Sequence, residues 1–146
     1  MQNFKVKKPK FIKAELREST VCELITEASL ERIFISHADA NSLKAKNLAI
    51  DEALLERVSF AGSLLEKTAF LDVHLNACDL TTVHCSDSSF IRTVISDSRM
   101  TGMDLSRSRV KDVIFENCKI DMANFRFSKI SCVHFINCHF FDADFL

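Results

Sequence analysis

Stepping by five from Phe60, every residue reached is apolar: Phe60, Leu65, Phe70, Leu75, Leu80, Cys85, Phe90, Ile95, Met100, Leu105, Val110, Phe115, Ile120, Phe125, Ile130, Phe135, Phe140 and Phe145. Two places before each stands a smaller residue, from Val58, Ser63, Thr68 and Val73 through Cys78 and Val83 to Val133, Cys138 and Ala143; Met103 is the one long exception. A period of five fits neither ordinary element. A helix advances about 100° per residue, so a five-residue stripe spirals around it and never forms one face. An uninterrupted strand alternates with period two, so every second central residue would point away from the core. Both apolar positions face one interior only if the chain turns after each short strand: three residues run in, out, in, and two make a corner. Four corners close a square, twenty residues make one coil, and coils stack through parallel ladders about 4.8 Å apart. The pattern predicts an all-β square solenoid of about seven coils, the first irregular.

The phase is unbroken from Leu30 to Phe145, through Ile35, Ala40, Ala45, Ile50 and Leu55, which gives twenty-four central residues and six coils. Their stack would be about 29 Å tall at the ladder spacing. Before Leu30 the pattern runs in another phase (Phe11, Leu16, Val21, Thr26, with Ala14, Ser19 and Leu24 two before the last three), and the count resets one residue short. Residues 11–27 therefore read as an imperfect first coil. The stretch 43–58 also carries Ile50, Leu54 and Val58 at helical spacing, but continuity of phase into Phe60 favours a coil. Residues 1–10 lack the repeat; lysines and the single proline suit an arm or a cap over the first coil's open edge. The expected organisation is an arm over 1–10 and a repeat domain over 11–146, regular from 28.

Ala123-Asn124-Phe125, Ala143-Asp144-Phe145 and Ala38-Asp39-Ala40 resemble the A-(D/N)-(L/F)-x-x consensus of the pentapeptide-repeat proteins. The resemblance covers roughly residues 28–145 and rests on unbroken phase more than on any single repeat. It implies a right-handed quadrilateral β-helix. It also implies two kinds of role. Some members of that family mimic DNA and bind type II topoisomerases such as gyrase, whereas many have no known activity.

Composition refines this picture. Thirteen phenylalanines and no Trp or Tyr suit a narrow interior that cannot satisfy polar ring atoms. Two glycines are few for a chain made of corners, so the corners are expected to avoid positive φ, save where Gly62 and Gly102 share an edge two coils apart. A formal charge of −1 favours neither a nucleic-acid binder nor a strongly acidic decoy. Absence of an apolar leader or spanning run points to the cytoplasm and no membrane, where six cysteines would stay reduced.

Residues twenty apart become vertical neighbours, so surface columns are legible. Asp72, Arg92 and Asp112 form one and Lys67, Asp87 and Arg107 another, both alternating in sign. Cys78, Cys118 and Cys138 share the small inner column; stacked parallel thiols about 4.8 Å apart suit neither a disulfide nor zinc, so they read as small hydrophobes. Cys78, Cys85, Cys118 and Cys138 are expected to be buried, Cys22 and Cys132 exposed. Cys132, His134, His139 and Asp142 lie close in sequence, but a convex corner separates them, and no catalytic or cofactor-binding fingerprint is present. No enzyme activity, metal or cofactor is expected.

Two surface features stand out. Leu71, Ile91, Val94 and Ile114 form an apolar patch on outward or corner positions, beside a basic group of Arg107, Arg109, Lys111, Arg126 and Lys129. The final coil, with central residues Ile130, Phe135, Phe140 and Phe145, presents an uncovered apolar end suited to self-association as a closed dimer. The function these features support is non-enzymatic protein–protein interaction; the competing one is topoisomerase binding.

Overall fold

The computed structural model describes residues 5–146. Seven strands, β1 (Arg17–Glu18), β2 (Ser29–Asp39), β3 (Ala49–Ser59), β4 (Ala69–Asn76), β5 (Ser89–Ser96), β6 (Arg109–Glu116) and β7 (Lys129–Ile136), form one parallel sheet in sequence order. From β2 onward each residue pairs with the one twenty later, as in Ile50↔Phe70, Phe70↔Phe90 and Phe90↔Val110. The remaining sides carry shorter ladders in the same register, Leu64↔His84↔Asp104↔Asn124↔Asp144 on one and Ser59↔Asp79↔Arg99↔Lys119↔His139 on the next. The stretch 43–58 holds all of β3 but its last residue, and no helix.

Both inner positions point inward through the body of the rod. Central residues from Ile50 to Phe125 and their smaller partners from Ala53 to Ala123 are buried. Aromatic rings stack up the tube, Phe70 on Phe90 at 4.7 Å and Phe115 on Phe135 at 4.9 Å between centroids. The small partners do more than leave space. Buried hydroxyls accept backbone N–H groups one coil away, Leu43 N–H to Ser63 Oγ, Thr68 N–H to Ser88 Oγ and Cys78 N–H to Ser98 Oγ, each at 3.0 Å. They donate in turn to carbonyls, as Ser63 does to Ala40 O at 2.8 Å. Serine and threonine at this position thus satisfy main-chain groups that the corners would otherwise strand inside an apolar tube.

The corners differ from the sequence expectation. Every fifth residue from Glu27 to Asp142 has positive φ, between 45° at Arg92 and 69° at Gly62, so all corners and not only the glycine edge use the left-handed region. The glycine count misled because a single L-residue can adopt that conformation at a cost of about 1–2 kcal/mol. The stack offsets it: in the body of the rod the N–H of such a residue bonds the adjoining coil, as Asn47 N–H does to Glu66 O at 3.1 Å and Asp97 N–H to Glu116 O at 2.9 Å. Many corners gain a second fastening from the residue between the two inward positions. Asp39, Asp79, Asp104, Asn124 and Asp144 each accept the backbone N–H two residues on, at 2.8–3.0 Å. That local bond is the physical sense of Asp or Asn in the repeat.

The first coil also differs. Residues Lys13–Glu15 and Val21–Glu23 are 3-10 turns, and Arg17 pairs with Ile33, sixteen residues on (33 − 17) and short of a full coil. The regular coils number six, from Glu27 onward, and the segment before them is a lid whose fully buried Leu24 closes the tube. Among the described residues no coil lies above this end, so its apolar spacing answers to capping, not stacking.

The arm follows another course than a cover over the first coil. Of the segment 1–10, Met1–Phe4 lie outside the described residues. Lys7 N–H donates to Asp112 Oδ1 at 3.3 Å and Lys10 N–H to Asp72 Oδ1 at 3.0 Å. Asp72 and Asp112 are two coils apart, so the segment climbs the side of the rod along its axis, across β6, β5 and β4, before reaching the lid.

Candidate interaction surfaces

Outward side chains are arranged in vertical columns, and the acidic ones find partners within them. Arg92 grips Asp72 with two parallel bonds of 2.7 and 2.8 Å, and Arg107 does the same to Asp87. Burial alone would raise the Asp72 carboxyl, but the Arg92 guanidinium and the Lys10 N–H hold it below its ordinary value. Asn117 donates to Asp97, and Asp79 stands in a ladder with Arg99 and Lys119. In these columns negative charge is therefore interleaved with positive and amide groups. Of the basic group, Arg107 is engaged by Asp87, and Arg126 lies 3.7 Å from Asp144. Arg109 and Lys129 are exposed ladder neighbours, while Lys111 sits half-buried on a corner beside Asp112.

The apolar patch read from the sequence is not an open surface. Ile114 is buried, and Leu71, Ile91 and Val94 are half-buried. The arm is the reason: Lys8, Pro9 and Phe11 form one wall of a groove whose other wall is His74, Val94, Ile114 and Glu116. Val6 of the arm is buried as well. Repeat phase gave the column correctly, but a non-repeating segment with no phase of its own gave no hint of where it docks.

A second apolar cluster was missed. Met122, Phe127 and Phe141 are 56%, 72% and 72% exposed on two adjoining corners of the late coils, with the Arg126 guanidinium 5.4 Å from the Phe127 ring centre. The signal was available, since apolar residues at corner positions have no inward role. At the last coil Ile130, Phe140 and Phe145 are 39%, 36% and 44% exposed, and Phe135 is half-buried against Phe115 and Phe140.

Cys132, His134 and His139 remain apart: Cys132 is half-buried on a corner, and both histidines are exposed on successive sides. Among the described residues no three His, Cys, Asp or Glu side chains converge as a metal site would require, and no helix is long and apolar enough to cross a membrane. The inner thiols bond to carbonyls, Cys118 Sγ to Ile95 O at 3.2 Å and Cys78 Sγ to Leu55 O at 3.4 Å. Burial pushes Cys78 up to about 11 and Cys85 and Cys118 up to about 12. Cys138, expected to be buried, is only half so, because no further coil covers its side of the tube. A thiol reagent on the native reduced protein should label Cys22 fast, Cys132 and Cys138 more slowly, and Cys78, Cys85 and Cys118 only on unfolding, read by mass spectrometry of peptides. Rapid labelling of Cys118 would contradict its place in the tube.

A family model described as a pentapeptide repeat region matches residues 68–145, more than half of the chain. None of the curated proteins matches it in sequence. Among solved structures it is similar to the pentapeptide repeat protein Rfr23 from the cyanobacterium Cyanothece 51142, at 10% identity and TM-score 0.32 over 82% of this chain and 88% of that one. It is similar to QnrB1, a plasmid-mediated fluoroquinolone resistance protein, at 10% identity and TM-score 0.25 over 80% and 74%. It is similar also to HetL of Nostoc sp. strain PCC 7120, involved in heterocyst differentiation regulation, at 9% identity and TM-score 0.23 over 80% and 86%.

Proposed function

This chain belongs to the pentapeptide-repeat family, and on that premise we propose that it is a rigid, non-enzymatic scaffold that binds another protein in the cytoplasm. The observation that carries the reading is the corner cluster of Met122, Phe127 and Phe141. Met122 and Phe127 stand at the positive-φ position of their corners, and the Met122 N–H bonds Phe141 O one coil on at 2.7 Å, so these exposed apolar side chains are presented with less entropy loss than a loop would suffer on binding. Arg126, Lys129, Asp121 and Asp142 supply a polar rim of both signs. The charge arrangement weighs against mimicry of DNA. A decoy for a topoisomerase needs a continuous acidic side, whereas here Asp72, Asp87 and Asp97 each have a partner twenty residues on.

Wild type and a Met122→Ser, Phe127→Ser, Phe141→Ser variant are compared by affinity capture and cross-linking in extract of the native cell. We expect a discrete partner with wild type and its loss with the folded variant; retention of the same partner would remove these corners from the reading. In a purified gyrase assay, wild type at low micromolar concentration is expected to leave supercoiling unchanged, and clear inhibition would favour the topoisomerase reading. Light scattering of the same samples over a dilution series reads self-association, the contact we propose for Ile130, Phe135, Phe140 and Phe145. A constant monomer mass would reject it.

A further inference from the structure

The arm has the features of an occupant, not of a structural element. It crosses the strands instead of joining their ladder. Its fastenings to the side of the rod are two main-chain N–H groups, those of Lys7 and Lys10, given to the carboxylates of Asp112 and Asp72. Val6 is buried, Pro9 and Phe11 are half-buried, and Lys5, Lys7, Lys8 and Lys10 all point to solvent. Recognition through backbone N–H groups does not depend on side-chain identity, so any extended segment of the right polarity can make it.

The rod's side is built for more than the arm fills. An open groove persists between Lys8, Pro9 and Phe11 and the column of His74, Val94 and Ile114. The imidazole of His74 is held there by Ser96 Oγ at 2.8 Å, which itself donates to Asn76. Burial lowers its basicity in spite of Glu56, Asp97 and Glu116, so the column stays neutral near pH 7. The neighbouring edge is acidic. Glu31, Asp51, Glu52 and Asp72 crowd one corner against two cations, Arg32 beside Glu31 and Glu52 and Arg92 on Asp72; burial followed by repulsion from Glu52, Asp72 and Glu31 pushes the Asp51 carboxyl up. No lysine of the described arm lies within salt-bridge distance of Asp51. The site therefore combines an apolar column, two carboxylates spaced to take main-chain N–H groups, and an acidic excess centred on Asp51, which among the described residues has no cation within salt-bridge distance.

We propose that this side of the rod, floored by His74, Val94 and Ile114 and edged by Asp51, Asp72 and Asp112, is a binding groove for an extended lysine-rich segment of a partner protein. In the unbound chain Lys5–Phe11 closes it. The surface is distinct from the corner cluster of Met122, Phe127 and Phe141, and the proposal stands whether or not that cluster makes a contact. A partner segment must displace a tethered competitor, so binding is gated by release of the arm. The segment it fits carries lysines on its solvent side, small apolar residues on the other, and runs parallel to the rod axis.

The test uses full-length protein and a fluorescent peptide with the sequence of residues 5–11 as the probe, read by anisotropy. Val6→Asp should release the arm and raise probe affinity at least tenfold over wild type, with an unchanged circular dichroism spectrum. Adding Ile114→Asp, or exchanging the probe's lysines for glutamates, should abolish that gain. Equal binding to wild type and Val6→Asp, or binding undiminished by Ile114→Asp in a folded rod, would overturn the proposal. So would a concentration-dependent dimer of wild type that Val6→Asp dissolves, since the occupant would then be a second copy's arm. Hydrogen exchange keeps the test open should a variant misfold: in wild type the Lys7 and Lys10 amides should exchange far faster than those of β4–β6. Exchange only at the rate of global unfolding would show an arm that never opens.

Discussion

Phe90→Ala should lower the stability of the rod by about 3–5 kcal/mol, whereas Phe145→Ala should lose only about a third as much. Both rings are central residues, and both stack on a partner one coil away, Phe90 on Phe70 and Phe145 on Phe125, each at 4.7 Å. They differ in what surrounds them. Phe90 is 1% exposed with coils on both sides, so truncation leaves a void that rigid ladders above and below cannot close. Phe145 is 44% exposed, and its removal largely trades ring surface already in contact with water. Urea denaturation of both variants reads the difference; equal losses would mean that the tube is not packed as described.

The second large effect comes from overfilling. Ala123 is fully buried at the small inner position, one coil from the long, buried Met103. Ala123→Phe asks the tube to hold two large side chains at successive levels, which the fixed spacing of about 4.8 Å does not allow them to share by sliding apart. The expected loss is about 1–3 kcal/mol or more. Arg126→Phe, three residues along on a corner and exposed, should be nearly neutral for folding. Comparable destabilisation in the two variants would mean that the inward register is wrong.

The pentad made the architecture legible because its physics is local. Five residues of fixed in–out sense force a corner, and only a closed square brings Phe60 and Phe145 to the same kind of place. The vertical neighbours followed from the same arithmetic, and Arg92 on Asp72 and Arg107 on Asp87 are found where twenty-residue spacing puts them. The corner backbone was not legible. Glycine scarcity argued against positive φ, yet the ladder bonds of adjoining coils hold Asn47, Asp97, Met122 and others like them in it. That compensation exists only once the coils have stacked.

The functional surface divides along the same line. From the sequence, Leu71, Ile91, Val94 and Ile114 form an apolar patch on outward or corner positions. Tertiary structure decided that Lys5–Phe11 lies across it, through main-chain bonds that leave no trace in residue type. The same holds at the first coil, where Leu24 plugs the tube at a place the reset phase marked as irregular but could not describe. Repeats determine one another, because each coil is the template for the next. A segment without a repeat has no template, so its position is set by the finished surface it finally meets.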